Sequence, residues 1–103
     1  MAEIIQATTP TIVYKFSTVR VSDISVAFLT IKQDGVTKLE RDLTTATVGD
    51  ASLSWTLTQE ETLSFAENET INMMLNWKLA DGTRGASRKG SFNIGDNYKD
   101  EVI

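Results

Sequence analysis

Two runs of this chain, Leu53–Leu57 and Ile71–Leu79, alternate with a period of two, and that alternation constrains the fold more than any other feature. Leu53, Trp55 and Leu57 are interleaved with Ser52, Ser54, Thr56 and Thr58. Ile71, Met73, Leu75, Trp77 and Leu79 are interleaved with Asn72, Met74, Asn76 and Lys78. Successive side chains on a strand point to opposite faces, so each run demands a half-buried strand with one wet face. Between the runs, Thr58-Gln59-Glu60-Glu61 has the spacing of a capping box. The threonine hydroxyl accepts from the third helical amide, and the Glu61 carboxylate reaches back. Strand, one helical turn near residues 59–64, strand: this is how a β-sandwich often crosses between its sheets.

The rest of the chain extends the pattern. Thr11–Phe16 reads as an early strand with Ile12, Tyr14 and Phe16 on one face, and Ile4 and Ile5 add a short strand before it. Pro10 suits a first position or an edge, because it cannot donate to a central ladder. Ile24–Lys32 is apolar on both parities, Ile24, Val26 and Phe28 against Ala27, Leu29 and Ile31. That predicts a central strand covered on both sides along at least part of its length. Asp34-Gly35 favours positive φ at both positions, hence a tight hairpin turn. The returning strand, Val36 to Leu43, carries Lys38, Glu40, Arg41 and Asp42, charges that suit a sheet edge.

Thr44–Asp50 reads as a polar loop, and Asp81-Gly82 as a second hairpin turn after a strand at Thr70–Ala80. The last strand, Thr83–Ile94, places Arg84, Ala86, Arg88, Phe92 and Ile94 on one parity, with Gly85 and Gly90 marking a bulge or bend. Tyr98–Ile103 is a tail. Strands at this spacing predict one all-β domain over residues 1–103, an Ig-like two-sheet antiparallel sandwich of about seven strands. Its expected core is Ile12, Tyr14, Phe16, Val26, Phe28, Leu53, Trp55, Leu57, Ile71, Met73, Leu75, Trp77, Phe92 and Ile94.

Composition narrows function mainly by what it lacks. At 103 residues the chain is long enough to bury a core without staples. Its net charge of −4 lacks the excess of Lys and Arg that phosphate binding requires, so neither nucleic acid nor a membrane surface is expected as partner. No apolar run approaches the roughly 18 residues that cross a bilayer. Met1–Ile5 has no basic n-region and no apolar h-region, so no signal peptide is expected. There is no His and no Cys. Triads of the Ser-His-Asp and Cys-His kinds are therefore impossible within one chain, and the two commonest soft metal ligands are missing. Neither Gly-rich phosphate signature occurs. Any catalysis would rest on carboxylates or Lys, so the expectation is a protein that is not an enzyme and carries no cofactor.

Each candidate site has a structural counterpart. Glu60 and Glu61 could be an acid/base pair, but neighbours on a helical turn diverge and Glu61 already serves the capping box. Asp81-Gly82-Thr83 and Gly95-Asp96-Asn97 could offer oxygens to Ca²⁺, yet neither has the spacing of a calcium loop, and turn chemistry accounts for both. Trp55 and Trp77 could stack on sugar rings, but their parity places them among core aliphatics. Tyr98, near the end, is the better exposed aromatic. Asn68-Glu69-Thr70 matches a glycosylation sequon without an accompanying secretory signal. Arg84, Arg88 and Lys89 form a basic cluster, with Arg84 and Arg88 on one face of the last strand. They suit either a solvated edge or a contact to an acidic partner surface, including another copy of this acidic chain.

The run Leu57–Phe65, the following strand, Asp81-Gly82-Thr83 and Ala86-Ser87 together resemble a set of small phage and prophage proteins typical of Gram-positive hosts. Thr9-Pro10-Thr11-Ile12 and Lys99-Asp100-Glu101-Val102-Ile103 are similar too. The same pattern resembles the N-terminal domain of upper baseplate proteins of tailed phages. That resemblance implies a structural or assembly role in a tail or baseplate, exercised by contact with other phage proteins or with itself. It implies a location in the virion, or in the host cytoplasm during assembly, and no catalytic residue set. Such baseplate proteins continue into a helical or receptor-binding part, so a docking domain is all that the resemblance implies for this stretch. The alternative from another class is a carbohydrate-binding or adhesin-like module.

Overall fold

The structure is a computed structural model that describes residues 2–103. In chain order the strands are β1 (Ala2–Ile5), β2 (Thr11–Lys15), β3 (Ile24–Gln33), β4 (Val36–Asp42), β5 (Thr47–Val48), β6 (Ser52–Thr56), β7 (Thr70–Leu79), β8 (Arg84–Ala86) and β9 (Gly90–Gly95). One helical turn, α1 (Gln59–Leu63), lies between β6 and β7. The larger sheet runs β1-β9-β7-β3-β4, with β8 also paired to β7; the smaller runs β2-β6-β5. Orders B-E-D in one sheet and G-F-C-C′ in the other define the immunoglobulin-type sandwich, and these two sheets reproduce both.

The expected seven strands become nine for two reasons. The Thr44–Asp50 loop contains β5, and the last strand is split into β8 and β9. One pairing also departs from the expected antiparallel scheme: β1 runs parallel to β9, with Ala2 opposite Phe92 and Ile5 opposite Gly95.

Local chemistry fixes the connections. Asp34 and Gly35 both have positive φ, 54° and 75°, as the two-residue turn between β3 and β4 requires. Thr58 accepts from the Glu61 amide at 3.2 Å, and Glu61 accepts from the Thr58 amide at 2.8 Å, completing the capping box. The second oxygen of Glu61 pairs with Arg41 of β4. Beside it the Trp55 indole N–H donates to the Asp42 carbonyl at 3.0 Å, so two contacts tie the small sheet and its helical turn to the β4 margin. At the opposite end of β3, buried Gln33 donates to Ala66 O at 3.0 Å and accepts from Ala66 N at 2.8 Å.

The core lies between the sheets: Ala27, Leu29 and Ile31 of β3 and Ile71, Met73 and Leu75 of β7 meet Ile12, Leu53, Trp55 and Leu57. Of the expected core, Ile94 is also buried, whereas Tyr14, Phe16, Val26, Trp77 and Phe92 are half-buried. Phe28 is 41% exposed and does not belong to it. The reason is a bulge. Ile24 faces Leu79 and Val26 faces Lys78, so Ser25 has no opposite residue; its hydroxyl donates to Lys78 O at 3.1 Å. One extra residue reverses the parity, turning Ala27, Leu29 and Ile31 inward with Ile24 and sending Phe28 out. β3 is central, as expected, but is not covered on both faces.

β4 is a sheet edge, as its charges suggest. It too is bulged: Leu39 faces Ile31 while Thr37 faces Lys32, leaving Lys38 unmatched. A bulge and a row of charges both discourage pairing with another chain.

Candidate functional site

The sequence-derived candidate is the basic cluster, and it sits on the hairpin that follows β7. Gly82, with φ of 93°, closes the turn, its amide donating to Leu79 O at 2.9 Å. The Asp81 carboxylate accepts from the Thr83 amide at 2.9 Å, and that bond, helped by the Thr83 hydroxyl, holds its pKa below the usual carboxylate range. These are turn duties. Among the described residues no group of acids converges as a metal site would require.

β8 then runs beside β7 for three residues. Thr83 O and Ser87 N both bond to β7, so by the two-residue period the backbone groups of Arg84 and Ala86 point away from it. Gly85 lies against the Trp77 indole so closely that a Cβ there would stand 2.6 Å from ring carbons. Ser87 ends the strand. Its hydroxyl takes the Leu75 amide at 2.9 Å and donates to Arg88 O at 3.0 Å, in place of a ladder carbonyl. Ser87, Arg88 and Lys89 leave the ladder, and Gly90 rejoins it opposite Met73.

The break separates residues that simple parity had joined. Arg84 lies on the outer face of the larger sheet, donating to Asn76 Oδ1 at 3.2 Å, with Lys78 directly opposite it. Arg88 is exposed within the irregular segment, so it shares no strand face with Arg84. Lys89 borders a different, shallow hollow of about 620 Å³ together with Lys32, Glu40 and Asn72. Tyr98 is fully exposed on the tail, which Asn97 anchors by donating to Gln6 O at 2.9 Å; it joins none of the three cations. The second half of the expected last strand is not an edge either, because β1 covers β9.

Around Arg84 the structure brings together residues the sequence reading had not associated. Val26 and Phe28 from β3, Asn76, Trp77 and Lys78 from β7, and Arg84 from β8 line an open hollow of about 200 Å³. Phe28 stands between Asn76 and Asp42 in the ladders, with Lys78 and Arg84 on the Asn76 side, so an aromatic ring and two cations are open to a partner. A signal for it existed: Thr30 and Lys32 share the parity of Phe28 and already mark that parity as the wet face. Of the two tryptophans proposed for sugar stacking, Trp55 is 2% exposed and Trp77 is half-buried against Phe16, ring centroids 5.2 Å apart and perpendicular.

Tyr14 faces the same break from the small sheet. Burial raises its phenol above the ordinary value near 10, while a hydrogen bond with the Ser87 side chain opposes the shift. The unfolded chain therefore releases this proton first. Stability is intact below the unfolded pKa and is lost as pH climbs through the folded one. The melting temperature should fall above about pH 10, and fall less steeply in Tyr14→Phe. Parallel slopes for the two proteins would show that Tyr14 is not the titrating group.

No family model matches the sequence, and no curated protein matches it.

Proposed function

We propose that this chain is a structural component of a phage or prophage particle, associated with a tail or baseplate, and that it works by protein–protein contact. The observation that carries the contact role is the hollow at Phe28, Lys78 and Arg84, which exposes an aromatic ring and two cations on the outer face of the larger sheet. Aromatic residues and Arg are the side chains that most often anchor protein interfaces. Beside it, the free backbone groups of Arg84 and Ala86 offer a partner a short strand edge. The assignment to a particle rests on the resemblance of Leu57–Phe65, Asp81-Gly82-Thr83 and the chain ends to small phage proteins.

Mass spectrometry of purified particles induced from the source strain tests the reading. The chain is expected there in amounts comparable to the tail proteins. Abundance in the lysate with absence from the particles would overturn a virion role.

A further inference from the structure

We propose that copies of this chain associate head to tail, the acidic tail end of one seating on the Phe28–Arg84 hollow of the next. The inference rests on the protein-contact reading above and names the partner. The molecule is elongated, 47 by 27 by 20 Å. Hydrogen bonds gather one end: Asn68 N to Ile94 O, Gln6 Nε2 to Phe65 O, Asn97 Nδ2 to Gln6 O, and Gln59 to both backbone groups of Ile103. That end carries Glu60, Glu67, Glu69, Asp96, Asp100 and Glu101, against Lys99 of the tail and Lys32 and Lys38 beside the β3–β4 turn. It also exposes apolar surface at Tyr98, Val102 and Ile103.

The hollow lies toward the other end. Lys78 and Arg84 stand next to the β7–β8 turn, opposite the bulged start of β3, and Val26 and Phe28 give the hollow an apolar wall. Acid with apolar surface at one end thus faces Lys78 and Arg84 beside an apolar wall at the other, where Asp81 in the turn and Asp42 opposite Phe28 offset part of the positive charge. Complementary charge sets register and speeds encounter, and the apolar parts give up water on contact. The two patches are different surfaces, so the contact is heterologous: repeated, it closes a ring or extends a filament.

Sedimentation of the intact protein over a range of concentration and salt reads this out. Association should appear at low salt and weaken as salt screens the charges. Lys78→Glu with Arg84→Glu should weaken it about tenfold or more, as should Asp100→Lys with Glu101→Lys. All four substituted residues are exposed, so circular dichroism should remain that of the wild type. The protein carrying all four substitutions has both patches reversed and should associate again. A strict monomer at high concentration in low salt overturns the proposal, and so does an association that neither pair of substitutions weakens. Neither result touches the contact role itself, because the particle measurement decides that separately.

Discussion

Truncating Trp55 to alanine should cost about 3–5 kcal/mol, the range for removing a large buried aromatic. Trp55 is 2% exposed at the centre of the small sheet, and its indole N–H is bonded to Asp42 O on the far side of the sandwich. The truncation therefore opens a cavity and also removes one of two contacts joining that sheet to β4. Domains of this size are usually stable by about 5–15 kcal/mol, so the variant should be marginal at room temperature. Trp55→Phe keeps most of the packing and loses the hydrogen bond, worth about 1 kcal/mol. Trp77→Ala should cost less than Trp55→Ala, since Trp77 is only half-buried. Urea midpoints order the three variants. A Trp55→Ala midpoint close to wild type would contradict the burial described.

Gly85→Ala should cost about 1–3 kcal/mol through overpacking, although it adds a single methyl group. The new Cβ would lie 2.6 Å from Cε2 and Cζ2 of Trp77, a separation that forces the indole or β8 to move. Because the clash has one identifiable partner, Trp77→Leu in the same chain should recover part of the loss. The double mutant should then be more stable than the sum of the two single changes allows. Strict additivity would mean that the cost of Gly85→Ala lies elsewhere, for example in the backbone of β8.

Those two sites also mark what the sequence does and does not disclose. Trp55 was legible as core because Leu53, Trp55 and Leu57 alternate without interruption, and β6 pairs regularly along its length. The capping box and the Asp34-Gly35 turn were legible because their chemistry is local. Phe28 was not. One unmatched residue at Ser25 reverses the parity, and a bulge is a property of two strands together that a single run does not reveal. The interruption at Ser87 hid the site in the same way: with it unseen, Arg84 and Arg88 fall on one face, when in fact Arg84 belongs with Lys78 and Phe28. The buried Gln33 clamp on Ala66 joins residues far apart in sequence and carries no local mark.

The parallel pairing of β1 with β9 has a consequence for how the protein is made. Ala2 and Phe92 are neighbours in the sheet although ninety residues separate them in sequence. On a ribosome the β3–β4 hairpin can close once Asp42 has emerged, and β7 can join β3 soon after its own synthesis. The first strand made must wait for the last, and until Gly90–Gly95 appears one flank of β7 beside Thr70–Met73 stays bare. Late, long-range closure of this kind is slow and leaves an unpaired strand open to neighbouring nascent chains. Chains halted before Gly90 should therefore cling to one another through that bare flank of β7, which in completed chains is already paired with β9.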